Sequence, residues 1–402
     1  MPQPRVSPHR DPPPWDEPPH RDGQPRWTPR RIRRVVLIAA LLLLPLVVGE
    51  VGVRELIVFD RLPLARAHLR DFEIMWTNLE RAPKPDLLIL GDSVAQQDID
   101  PAVLARAIET ATGVHIVAFD AASAGAGYRV SAAIVKQLAR EGRLPRVALI
   151  VIQPGSLQGI NQADQSFFAS PLGELLAGCG VTNDINQWLN CELSSVSALW
   201  RWRGTPDRIA GAVVRPVLQT SQGNGLHLRV DGFREGEARP AARIRQQAKQ
   251  WTAGQPGELR LATAALADFR DLVDLLRTNG VAVIPVSMPE NPILTSALLT
   301  KVPDWEGARR RAVTSMARAT ATQVVYVTAF GRWYGDGSSR DVKHLSRSGA
   351  EHFAFQLWSL PAFREAITRG LGLTASRGCP TVSCSSSRSD QPPGAASAVM
   401  LP

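Results

Sequence analysis

Between Pro83 and Leu373 short aliphatic runs alternate with amphipathic stretches, and this pattern limits the folds open to the chain. "DLLILGD" reads as a strand, "DPAVLARAIETATG" as a helix, "VHIVAFD" as a second strand, "RVSAAIVKQLAREG" as a helix and "VALIVIQP" as a third strand. Farther along, "ELRLATAALADFRDLVDLLRTNG" predicts a helix closed by Gly280. Strand "VAVIPVSMP", helix "WEGARRRAVTSMARATAT", strand "VVYVTAF" and helix "SGAEHFAFQLWSL" follow. Strands that are apolar at every position need cover on both faces, so the expectation is a mostly parallel sheet in a three-layer α/β/α sandwich. With 44% hydrophobic residues the chain can supply both cores.

The alternation fails over residues 156–257, where Gly, Gln, Asn and Trp are scattered without period. A structureless loop of that length is uncommon in a compact domain, so the expectation is an inserted subdomain or lid. Within it, "SALWRWRG" carries Trp200 and Trp202, which suit packing better than a sugar groove. Cys179 and Cys191 are twelve apart, and a local disulfide between them fits an oxidising compartment, with free thiols as the other reading. No CxxC occurs, and a metal site is not expected.

Arg30, Arg31, Arg33 and Arg34 directly precede an uncharged run from Val35 to Gly49, extendable past Glu50 to Val53. That length reaches the ~17–25 residues of a spanning helix, and the flanking arginines place the N-terminus in the cytoplasm. A cleaved signal cut after Gly49 competes with it, and the uncleaved anchor is the reading adopted. Much of the net charge of +9 sits in this leader, so it reads as a topology signal, and no nucleic-acid-binding signature accompanies it. The expected order is a disordered cytoplasmic tail (1–29), a transmembrane anchor (30–58), a connecting segment (59–82), the α/β domain (83–373) and a disordered tail (374–402).

"LLILGDSVAQQDIDP" ends its strand on Gly91-Asp92-Ser93, and in open parallel sheets ligands bind beyond the strands' carboxyl ends. The second strand runs into the small, flexible "DAASAGAG", where a backbone N–H can approach a substrate. After the last strand comes "DVKHLSRSGAEHF", with Asp341 three residues before His344. An aspartate so placed can hold the imidazole Nδ1–H and leave Nε2 to take a serine proton. Nucleophile, base, orienting acid and oxyanion donors then fall at one sheet edge. Asp336 is a weaker choice of orienter, and Asp92 reads as fixing the turn. Of the seven histidines, His9 and His20 lie across the membrane from Ser93, while His68 and His227 lack an acid at matching spacing. His115 reads as structural, and His352 as packed or solvated.

In these blocks, over roughly residues 85–371, the chain resembles the SGNH (GDSL-type) hydrolase superfamily, whose first block is GDS and whose last is DxxH. The resemblance implies Ser93 as nucleophile, His344 as base and Asp341 as its orienter, with the Ser93 N–H and Gly125 as oxyanion donors. It also makes Ser346 the expected N-cap of the closing helix. The family's third donor is an Asn after the third strand. "IVIQPGSLQGINQ" has none at that place: Asn161 lies farther along, and Ser156 or Gln158 are substitutes. Such a domain behind a membrane anchor resembles the DltD-like group and polysaccharide O-acetyl enzymes. This implies a serine esterase or O-acyltransferase of the cell envelope, on the outer side of the inner membrane. It would need no cofactor, and its partners would be an acylated glycan and polysaccharide-assembly proteins. A non-catalytic binding protein that has kept the fold is the alternative.

Overall fold

The computed structural model describes residues 29–53, 71–158, 162–168, 170–178, 185–201, 227–254, 258–327, 338–373 and 398–401. The chain forms two units, Met1–Val51 and Gly52–Pro402. Helix α1 (Pro29–Val53) is 25 residues long, has no buried residue and is long and apolar enough to cross a membrane. Most of the expected connecting segment, residues 54–70, lies outside the described residues.

The second unit starts before the first strand. Helix α2 (Asp71–Arg81), expected to be connection, buries Met75, Trp76 and Leu79. Its apolar residues recur at helical spacing, and that period was masked by the charges between them. Then come β1 (Leu87–Leu90), α3 (Ser93–Asp98), α4 (Pro101–Thr112), β2 (Ala118–Asp120), α5 (Tyr128–Arg140) and β3 (Val147–Ile152). Helix α4 shows how local sequence sets an element's bounds. Asp100 accepts the N–H groups of Ala102 (2.9 Å) and Val103 (3.1 Å), Pro101 opens the first turn, and Gly113 ends the helix at φ +71°.

The inserted region contains short helices α6 (Pro154–Leu157), α7 (Gln162–Phe168), α8 (Pro171–Ala177), α9 (Ile185–Val196) and α10 (Ala198–Arg201). A hairpin of β4 (His227–Leu228) and β5 (Arg234–Glu235) follows, then α11 (Ala241–Ala253). The domain closes with α12 (Thr263–Thr278), β6 (Ala282–Ser287), α13 (Pro292–Leu299), α14 (Trp305–Thr320), β7 (Val324–Val327), α15 (Arg347–Ser359), α16 (Pro361–Gly370) and β8 (Ala398–Leu401).

The fold is α/β, with a six-stranded sheet ordered β2-β1-β3-β6-β7-β8. Five strands are parallel, and β8 pairs antiparallel on the β7 edge. The tail expected to be unstructured therefore supplies an edge strand from "AVML", a four-residue apolar run too short to be noticed beside its polar surroundings. Alternate residues of the buried strands enter different cores. Leu88, Leu90, Ile150 and Ile152 pack in one with α2, α5, α12 and α14; Leu87, Ile89, Leu149 and Val151 pack in the other with α3, α4, α15 and α16. The inserted region belongs to these cores as well. Phe167, Leu172 and Leu176 enter the first, and Phe233 enters the second. These parts of the insertion pack into the domain's own cores.

Candidate active site

The chain leaves β1 to form β2 on one side and β3 on the other, so the sheet's switch point lies where β1 ends. There Gly91 has φ +150°, and a Cβ on it would lie 2.9 Å from Ala95 Cβ and 3.1 Å from Val151 Cβ. Only glycine fits both the angle and the space. Asp92 caps α3 by accepting the Val94 N–H at 3.0 Å, and its other carboxylate oxygen accepts from Gln153 Nε2. Burial raises the Asp92 pKa, against the Val94 N–H, Lys343, His344 and Gln153, which favour the charged form. Asp92 therefore fixes the turn, as expected.

Ser93 is the first residue of α3, and its Oγ lies 2.9 Å from His344 Nε2. His344 Nδ1 is 2.9 Å from both carboxylate oxygens of Asp341. Asp341 Oδ1 also accepts the backbone N–H groups of Lys343 (2.8 Å) and His344 (3.0 Å). Burial works to raise the Asp341 carboxyl, but its hydrogen bond to His344, that residue's charge, the Lys343 N–H and the Arg340 guanidinium outweigh it. The pKa falls well below the usual carboxylate range. An ionised Asp341 on Nδ1–H leaves Nε2 as the acceptor facing the serine hydroxyl.

Helix α3 holds this loop at both of its own ends. Its first residue meets His344, and at its last the Asp98 carboxylate accepts the Leu345 N–H at 2.8 Å. Gln97 beside it accepts from Arg340. The loop closes on itself through Arg340 N–H to His344 O (3.0 Å) and a bridge between Ser339 and Leu345. Ser346 caps α15, accepting the Gly349 N–H at 3.2 Å, as expected.

Gly125 stands third in a turn closed by Ala126 N–H to Ser123 O, at φ +73°, which favours glycine. The turn is tied to the Gly91-Asp92-Ser93 turn, since Ser123 N–H donates to Gly91 O at 3.2 Å. Asn161, Asp336, Trp202, Cys179, His9, His20 and His68 lie outside the described residues. Cys191 is disulfide-bonded. His115 is exposed beside Glu109 at 3.1 Å, so it is a surface residue, and His352 is exposed on α15 with Nδ1 2.8 Å from Ser348 O.

Three contributors were not anticipated. Gln153 follows β3 directly. Its Oε1 accepts the Gly155 N–H at 3.0 Å while its Nε2 reaches Asp92. Its position after an apolar strand was the available signal. Lys343, between Asp341 and His344, lies 4.4 Å from the Trp251 ring centroid; burial lowers its pKa, against the charges of Asp92, Glu290 and Asp341. It borders a slot of about 20 Å³ that Val94, Gln153 and Trp251 also line. Asp164 accepts the Gly127 N–H at 2.6 Å, and no sequence signal pointed to it. No protein-family model matches the chain, and no curated protein matches it either.

Proposed function

We propose that this chain is a membrane-anchored SGNH-type serine esterase or O-acyltransferase of the cell envelope. The observation that carries the reading is His344 bridging Ser93 Oγ and Asp341 at the switch point of a parallel sheet. In this reading the fold is a three-layer α/β/α sandwich of SGNH type. The domain lies outside the inner membrane behind α1 and works on an acylated glycan alongside polysaccharide-assembly proteins.

The reaction follows from the proton positions. Ser93 Oγ attacks the ester carbonyl while His344 Nε2 takes its proton, and Asp341 stabilises the imidazolium that forms. The carbonyl oxygen gains negative charge, and the N–H groups of Ser93 and Gly125 are the donors assigned to it. Collapse expels the alkoxide, which takes the proton from His344 and leaves acyl-Ser93. Water or a sugar hydroxyl then gives its proton to His344 and attacks the acyl carbon, freeing Ser93.

A second reading, a non-catalytic binding protein, is favoured by Gln153. Its amide is spent on Asp92 and Gly155, and no Asn stands at that place. A fluorophosphonate probe on the purified full chain separates the two readings. Labelling that disappears in Ser93→Ala is expected of the esterase, and an unlabelled parent protein would sink it.

A further inference from the structure

A groove of about 700 Å³ runs between α11 and α13. Arg245, Lys249 and Lys301 stand on its walls, and among the described residues no acid lines it. Arg245 and Lys249 are four apart and exposed, so they share one face of α11. That helix also carries Arg243 and has no acidic residue. No carboxylate among the described residues pairs with Arg245 or Lys249. Lys301 donates to Ala253 O at 3.0 Å. The floor is Ala248 and Ile293, with the hydroxyls of Ser296 and Thr300 beside it.

We propose that this groove binds a stretch of acidic polysaccharide through its carboxylates. Its volume suits a ligand site, ~300–1,000 Å³, and its charge calls for an anion. It is a shallow, open groove along which an extended strand can lie. It also lacks the large outward apolar side chains of a membrane-surface helix. No aromatic ring lines it, so it offers no platform on which nucleic-acid bases could stack. Hydroxyls between cations match alternating sugar hydroxyls and carboxylates. Asn291 lines the slot beside Lys343, and the next residue, Pro292, lines the groove. That the anion is a glycan rests on the esterase reading; the demand for a polyanion does not.

The test uses the full chain in detergent as Ser93→Ala, titrated calorimetrically with an oligogalacturonate of defined length. A neutral malto-oligosaccharide of equal length and phosphatidylglycerol vesicles serve as controls. Oligogalacturonate binding should weaken as salt rises and fall about tenfold in Arg245→Gln/Lys249→Gln, as expected for lost charge-assisted contacts. Melting temperatures of the double variant and the parent should agree. Absent binding, equal binding of the neutral oligomer, or affinity indifferent to these substitutions would overturn the proposal. So would vesicle binding that the same substitutions abolish. With Ser93 restored, the double variant should hydrolyse a small acetyl ester at the parental rate. If no ester is cleaved by either protein but the oligomer still binds through Arg245 and Lys249, the groove stands and the esterase reading falls.

Discussion

In the esterase reading, the acid–base side of the site and its oxyanion side meet at one sheet edge but are held in different ways. On the acid–base side, α3 does the holding: Ser93 at its start faces His344, and Asp98 at its end holds the Leu345 N–H. Six residues thus set the height and the lateral position of the histidine loop. On the oxyanion side, the loop from Ala121 to Gly127 has no side chain of its own to cap α5, because its N-cap is Gly127. Instead Asp164, 37 residues downstream in the inserted region, accepts the N–H of Gly127 itself. Tyr128 and Ser156 add a second tie at 3.0 Å, and Asp120 N–H donates to Asp231 O at 2.8 Å from the β4–β5 hairpin. The placing of Ser93 and His344 is therefore a property of the α/β core, while the loop that carries Gly125 is tied down by the insertion as well.

Breaking the acid–base side should have the largest effect. Ser93→Ala and His344→Ala should each lower ester hydrolysis by about 10⁴–10⁶-fold, and the double variant should be scarcely worse, because the residues act as a unit. Asp341→Asn should cost less, about 10⁴-fold at most. Steady-state rates of the purified variants decide this; a Ser93→Ala protein as active as the parent would refute the assignment. Asp341, held well below the ordinary carboxylate range, stays ionised across the ordinary assay range. The sign for stability follows. A carboxyl with a depressed folded pKa stabilises the fold above its unfolded value and loses that contribution as pH falls through the folded one.

A milder break separates the two sides. Asp164→Ala removes the acceptor from Gly127 and leaves α3 and the histidine loop untouched. Loss of this hydrogen bond is worth about 1 kcal/mol, so kcat should fall about fivefold with KM little changed. Asp164→Asn keeps an acceptor oxygen and should restore most of the rate. If Ala and Asn variants behave alike, or if KM moves and kcat does not, the insertion does not position the oxyanion loop.

The same division governs what was legible in the sequence. β1, β3, β6 and β7 are unbroken aliphatic runs, and α4 carries its caps within a few residues, so local rules suffice for them. Ser93, Asp341 and His344 were readable because strand ends, motif spacing and the proton's needs all point one way. Asp164 and the β4–β5 hairpin were not. Their roles are contacts between residues distant in sequence, with no period to mark them. Gln153 fell between these cases, since its place after β3 was evident while its bond to Asp92 was a matter of tertiary distance. β8 was missed for a similar reason: four apolar residues become a strand only because the β7 edge is there to pair with them.

The smallest effect sharpens the comparison from the oxyanion side. Asp120 ends β2, is fully buried, and accepts the Ala122 N–H through Oδ1 at 2.8 Å, while Oδ2 has no partner among the described residues. Burial raises its pKa well above the usual carboxyl value. The Ala122 N–H opposes this, and Asp231 and Asp100 add to it. Arg229 gives little relief, because its guanidinium is already engaged by Asp100 at 2.6 Å and by Asp231. Between its unfolded and folded pKa values the folded state holds the extra proton, so this residue's contribution declines as pH rises through that window. Asp120→Asn keeps the oxygen that accepts from Ala122 and removes the ionisation. The variant should melt close to the parent in acid and about 2 °C above it at neutral pH, an increment on the order of 1 kcal/mol or less. The gap should widen with pH until the parent's carboxyl is fully ionised. A melting difference that is flat across pH, or that shrinks as pH rises, would mean that Asp120 is charged in the fold and satisfied there. The insertion's carboxylates would then be no burden on the loop that carries Gly125.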